Sequence, residues 1–325
     1  MIQNLFRSRE AVLLGVLCAM CAVFGATTEY FLNLDALLGY SRYWVAPGLL
    51  AIPMTFIIAT AGIDLSVGSI VGMCGIILGV LYRDYQWPIV AACAAAVLSG
   101  TAAGAFNGGI SSTLGIPPLV VTLATMTLFR GIAFGLSQAD AISNFPAGFN
   151  YLGSGTLFSF WLFGEEAFVP VALVVLLAAM ALGVLLLRRT WMGRYTLAIG
   201  ENPSAASFAA IPVSWMLFGI YTACGFMAGV ASLFYTAVYA TARADGGTGL
   251  ELEAIAAVVI GGTRISGGQA SVTGTLLGLL IIGILRYGLE LSGVKSQNVV
   301  IIVGLLLIVT AVFNEWMARR AGESK

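Results

Sequence analysis

Histidine is absent from the 325-residue chain, and lysine occurs only at Lys295 and Lys325. Without an imidazole there is no histidine metal site, no Ser-His-Asp or Cys-His nucleophile and no histidine proton relay. Charge is scarce too: 9% of residues carry it, against about 25% in an average soluble domain. Fifteen Lys and Arg balance fifteen Asp and Glu, so no basic stripe offers a footprint for nucleic acid. The five cysteines, Cys18, Cys21, Cys74, Cys93 and Cys224, sit in apolar runs as small hydrophobes, and the Cys18/Cys21 spacing lacks the second pair a metal site needs. What is present is apolar. Hydrophobic residues make up 59% of the chain and mean hydropathy is +0.98, which excludes a soluble globular protein. Uncharged runs of about 20 residues match the hydrocarbon thickness of a bilayer. The chain reads as an all-α, polytopic membrane protein forming one transmembrane domain over 1–325, with a helical core at about 10–318 and the lipid bilayer as its solvent.

Apolar runs between charges and turn residues predict ten spans, near 11–28, 43–62, 67–82, 88–107, 118–135, 168–188, 213–240, 251–262, 274–290 and 297–317. The eighth is short and polar at its start, as expected of a half-helix packed inside protein. The first reads as a retained span, because more spans follow it and no small-residue cleavage site closes it. Ten spans place both termini on one side. That side carries nine basic residues: Arg7, Arg9, Arg188, Arg189, Arg194, Arg264, Arg319, Arg320 and Lys325. The other carries five, Arg42, Arg83, Arg243, Arg286 and Lys295, with Arg130 inside or at the end of the fifth span. The bias puts both termini in the cytoplasm. The longest external connection, about 136–167, ends in the aromatic stretch Phe158-Ser159-Phe160-Trp161, read as an interfacial anchor or a docking surface.

Forty glycines imply close helix packing, since small residues let helix backbones touch in lipid. Gly75/Gly79, Gly100/Gly104/Gly108, Gly225/Gly229 and Gly274/Gly278 have the spacing for it. Two clusters differ by carrying charge. In Gly62-Ile-Asp-Leu-Ser-Val-Gly-Ser69, Asp64 and Ser66 either cap the next helix or line a polar path through broken backbone. Gly261-Gly-Thr-Arg-Ile-Ser-Gly-Gly268 reads as a cytoplasmic hairpin suited to protein contact, or as a simple turn. A faint echo between Ser69-x-x-Gly72 with Arg83 and Ser271-x-x-Gly274 with Arg286 suggests duplicated units. Gly288 to Ser296 imitates a phosphate loop, but Val294 separates glycine from lysine. Any use of ATP belongs to another polypeptide.

Taken together, Gly62–Ser69, Asn107-Gly108, Ile116-Pro117-Pro118, Val121-Thr122-Leu123, Arg130-Gly131, Gly193-Arg194, Gly200-Glu-Asn-Pro-Ser-Ala-Ala206, Glu251–Gly262 and Ser266-Gly-Gly268 resemble a known family. It is the permease subunits of bacterial ATP-binding-cassette importers for ribose, arabinose, xylose, rhamnose and autoinducer 2. Ala-Ile-Pro at 51–53 and 210–212 is most similar to the autoinducer-2 members, although Ala124 and Ala210 stand where the family pattern has glycine. The resemblance implies a multi-pass inner-membrane pore subunit, without enzymatic activity or a cofactor of its own, that carries a sugar or sugar-like solute. It also implies a periplasmic binding protein, a second permease and cytoplasmic ATPases that bind the ATP. By that analogy Arg194, Gly200, Asn202, Ala205 and Ala206 form the main ATPase-coupling surface, and Gly261, Gly262, Arg264, Gly267 and Gly268 an accessory turn. Candidate path residues are Asp64, Ser66, Thr122, Thr125 and Arg130. The alternatives are back-bonding of both threonines to helix carbonyls, and snorkelling or acid pairing of Arg130. Competing functions are a stand-alone secondary transporter on an ion gradient and a permease of the same family for a nucleoside.

Overall fold

The computed structural model describes residues 9–162, 165–295, 297–305, 308–309 and 312. Its helices are α1 (Arg9–Thr27), α2 (Leu34–Tyr40), α3 (Val45–Ala59), α4 (Val67–Arg83), α5 (Ile89–Leu114) and α6 (Pro118–Ser137). They continue as α7 (Ala147–Ser154), α8 (Val171–Arg189), α9 (Trp191–Glu201), α10 (Pro203–Phe208), α11 (Val213–Tyr239), α12 (Leu250–Ile260) and α13 (Val272–Leu291). Their ends follow local chemistry. α5 stops at Gly115 in the left-handed region, and the rigid Pro117-Pro118 pair starts α6. α8 closes on Arg188 and Arg189, cations that suit a helix C-terminus.

Every residue of α3 is buried, so this apolar helix forms the axis around which the others pack. α11 lies along α5, α3 and α4, while α1 sits at the periphery against α13. The α5–α11 seam is glycine on glycine. A Cβ at Gly104 would lie 2.8 Å from the Gly225 backbone, and one at Gly100 would lie 3.0 Å from that of Gly229. The α12–α13 hairpin repeats the arrangement, with Gly274 and Gly278 against Gly261 and Ala257.

The bundle has two chemically distinct ends. At the arginine-rich end Glu10 joins three segments, accepting from Thr273 at 2.6 Å, Ser271 at 2.9 Å and Arg188 at 3.1 Å. At the opposite, tyrosine-rich end, Tyr40 donates to Glu290, Thr28 meets Ser292, and a two-residue ladder pairs Ile142-Ser143 with Thr241-Ala242.

Several expectations are revised. Among the described residues seven helical segments are long and apolar enough to cross a membrane, the second joining α2 to α3 through a tighter helical turn at Ser41–Trp44. The third expected span is a 17-residue helix and the eighth an 11-residue helix, α12, buried along most of its length. The tenth is helical at 297–305, and most of its remainder lies outside the described residues, as do Arg7, Arg319, Arg320 and Lys325. The 136–167 connection is structured, with α7 and a β-hairpin pairing Thr156–Leu162 with Glu165–Pro170, so the fold is helical with small strand additions. The Ser69/Ser271 echo does not extend to geometry. Ser271 caps α13 by accepting from the Gly274 amide, whereas Ser69 lies inside α4 and donates to the Ser66 carbonyl.

Replacing Gly104 with leucine forces the α5 and α11 backbones apart, an overpacking cost of about 1–3 kcal/mol. Gly104→Leu is expected to lower the melting temperature of the purified protein by ~5 °C. Gly109→Leu, with open space around it, leaves the melting temperature unchanged.

Candidate functional site

At the arginine-rich end the expected coupling loop, 188–212, is not a loop. It folds as α9 and α10, hinged at Asn202, whose side chain accepts from the Ala205 amide at 3.0 Å and caps α10, with Pro203 at the first helical position. Arg194 and Ala205 are exposed and Ala206 is buried beneath. Gly200 allows contact with the rest of the end: a Cβ there would fall on the Ala59 carbonyl and, at 2.5 Å, on the Gly268 amide. That amide donates to the same carbonyl at 3.0 Å. Gly262, Gly267 and Gly268 all have positive φ, so the 261–268 turn can fold back on itself and bring Gly267 against Gly200. Gly261 instead touches Gly274, and Arg264 closes the turn through its backbone, donating to Gln269 and accepting from Gly267. The two segments expected to act separately thus form one surface with the C-terminus of α3. Its outermost side chain is Phe208, 92% exposed. Ala210, where the family pattern has glycine, sits at φ +60° and takes the conformation a glycine would adopt more cheaply.

Just inside this surface lies a buried polar knot. Asp64 is fully buried, and its Oδ1 accepts from the Ser66 amide at 2.8 Å and the Ser66 hydroxyl at 2.6 Å. Ser66 occupies the N-cap of α4 without capping it, because Asp64 already holds its hydroxyl, which also accepts from Asn107 at 2.8 Å. Thr122 donates to the Ile63 carbonyl at 3.2 Å, tying α6 to the same segment, and Thr125 bonds back to the Thr122 carbonyl. The structure therefore brings Asp64, Ser66 and Thr122 together with Asn107.

Arg130 lies elsewhere and neither snorkels nor forms an ion pair among the described residues. One of its guanidinium nitrogens donates to the Ala244 carbonyl at 2.6 Å and the Gly246 carbonyl at 2.7 Å. These carbonyls belong to 240–249, where the chain leaves α11 and turns before the short α12. Gly68 and Gly72 of α4 make room for it, since a Cβ at Gly72 would sit 2.7 Å from the Gly246 oxygen. Two acids, Glu251 and Glu253, occupy the first turn of α12, where the helix dipole favours them. On the exposed rim Arg243 bonds Asp245 through both carboxylate oxygens, at 2.9 and 2.8 Å, and this holds the carboxyl below the usual carboxylate range.

At the tyrosine-rich end lies a cavity of about 450 Å³, to whose lining this segment contributes Thr248. Tyr40, Tyr43, Tyr235 and Tyr239 line it, and Arg42, Glu253, Arg286 and Glu290 supply the charge. Arg286 pairs with Glu253 at 2.7 Å. None of the sequence-predicted path residues lines this cavity: Asp64, Ser66, Thr122 and Thr125 lie behind the arginine-rich end, and Arg130 holds the segment from which Thr248 reaches the lining. The tyrosines were missed by sequence reading, although Tyr40-x-x-Tyr43 and Tyr235-x-x-x-Tyr239 have one-face helical spacing near charges in apolar runs.

Removing the Arg130 guanidinium leaves two buried carbonyls without a donor, at about 1–3 kcal/mol each. Arg130→Met is expected to cost roughly 2–5 kcal/mol in stability, read by thermal denaturation of the purified protein.

Comparison with known proteins accords with this geometry. A family model described as "Branched-chain amino acid transport system / permease component" matches residues 36–311. The autoinducer 2 import system permease protein LsrD of Yersinia pseudotuberculosis serotype O:1b (strain IP 31758) is 33% identical over 335 residues, covering 98% of each chain. Its counterpart in Yersinia pestis (strain Pestoides F) is similar to the same extent. No solved structure matches. A family match over most of the chain, near full-length similarity to import permeases and a bundle of membrane-length helices converge: the chain belongs to the family of permease components of ATP-binding-cassette import systems.

Proposed function

We propose that this chain forms the pathway of an importer for autoinducer 2 or a closely similar sugar-like solute. The observation that carries the reading is 33% identity, over 98% of the chain, to Yersinia permeases whose names specify autoinducer 2 import. The cavity supports it, since hydroxyl-rich solutes suit a site of phenols, paired charges and few apolar groups. The arginine bias read from the sequence puts the α9–α10 end and both termini in the cytoplasm, and the tyrosine-rich end outside, in a multi-pass inner-membrane protein of ten spans.

On this reading a periplasmic binding protein delivers cargo to the tyrosine-rich end. A second permease, identical or a sister chain, completes the pore. An ATPase docks on the opposite end against Arg194, Asn202, Ala205 and Phe208, with the Gly261–Gly268 turn beside them. The chemistry of ATP stays in that partner. An exposed aromatic surrounded by small and polar residues is the composition of an interface anchor. Because Gly200, Gly267 and Ala59 are in contact, ATPase motion would reach α3 directly and then the Asp64 knot at the head of α4.

The test is uptake of autoinducer 2 by cells expressing the chain with its partner permease, ATPase and binding protein. Uptake is expected to need all four and to stop on ATP depletion; uptake by this chain alone overturns the reading. Phe208→Glu is expected to reduce both copurification of the ATPase and uptake by about tenfold or more, because it puts a charge where an apolar anchor is needed.

A further inference from the structure

We propose that the tyrosine-rich cavity is a selectivity site that holds net-neutral, polyhydroxylated small solutes and turns anions away, so that the permease itself screens its cargo. This deepens the importer reading and rests on it. About 450 Å³ falls within the range of ~300–1,000 Å³ typical of small-molecule sites. One wall is aromatic and continuous. Ring centroids run from Tyr40 to Tyr43 at 5.3 Å, from Tyr43 to Tyr239 at 6.0 Å and from Tyr239 to Tyr235 at 4.7 Å. Such a ribbon offers π-faces to the C–H surface of a sugar and phenolic oxygens at its edges.

The facing groups alternate in sign and sum to zero, with Arg42 and Arg286 against Glu253 and Glu290. The carboxylates accept from ligand hydroxyls and the guanidinium groups donate to them. Arg286 already holds Glu253, and Glu290 accepts from the Tyr40 hydroxyl at 2.8 Å, so both polar clusters are fixed before a ligand arrives. A phosphorylated or carboxylated solute meets two carboxylates, while Arg286 is committed to Glu253 and the Nε of Arg42 to the Gly39 carbonyl. Glu253, its side chain 19% exposed, is partly dehydrated, and a like charge beside it is repelled by more than in water.

The test uses the assembled importer in lipid nanodiscs, with Cys18, Cys21 and Cys93 changed to alanine and Thr248→Cys placing a thiol in the cavity lining. A polar maleimide reports access. Millimolar D-ribose, given free without the binding protein, is expected to slow labelling at least threefold. D-ribose 5-phosphate at the same concentration has no effect. Adding Tyr239→Ala removes the protection, while Glu290→Gln, on an exposed carboxylate outside the Glu253–Arg286 pair, lets the phosphate ester protect as well. No protection by D-ribose, equal protection by both sugars, or protection that survives Tyr239→Ala overturns the proposal. The importer reading fails separately, if the unsubstituted complex shows no ATP-dependent uptake.

Discussion

Backbone carbonyls cannot be left bare away from water, and the most demanding ones here belong to 240–249. Between α11 and α12 the chain abandons the helix inside the bundle, and its oxygens need donors from elsewhere in the protein. Arg130 supplies them from α6, one nitrogen serving both Ala244 and Gly246. Other features follow from that contact. α4 needs Gly68 and Gly72 because the broken segment lies against it, α12 starts late and stays short, and Glu253 is placed where it can meet Arg286. The segment that contributes Thr248 to the cavity lining is thus held by a side chain outside the cavity.

The same helices join the two ends. α3 is the buried axis, its C-terminus bonded to the 261–268 turn, and the Asp64 segment connects it to α4 through hydrogen bonds that also hold α5 and α6. α4 then passes the broken segment at Gly68 and Gly72. Displacing the arginine-rich end without moving the broken segment would break several short hydrogen bonds, which makes this route a stiff one.

Much of the architecture was legible because lipid imposes simple rules. Apolar runs located most of the described helices, although the second begins nine residues earlier and the fourth ends seven residues later than predicted, and glycine spacing anticipated the α5–α11 and α12–α13 seams. Contacts between distant segments were less legible. Nothing in the local pattern says that Gly200 and Gly268 share the Ala59 carbonyl, or that Arg130 reaches carbonyls more than a hundred residues away. Ser66 looked like a cap and is not, because the decisive partner, Asp64, competes for its hydroxyl. The cavity tyrosines drew no reading at all, since phenols at a membrane interface and phenols lining a site have the same sequence signature. The 136–167 connection was read only as an interfacial anchor or docking surface, and its aromatic end pairs across the turn as a hairpin that takes in the start of the expected sixth span.

Phe208 has a consequence beyond docking. A phenylalanine with nine-tenths of its surface bare, on a six-residue helix ahead of the exposed Trp215, is adhesive when nothing covers it. A permease made in excess of its ATPase would present that patch to every neighbour, its own copies included. On the proposed docking, synthesis of the subunits in matched amounts would shorten the time this one side chain stays uncovered.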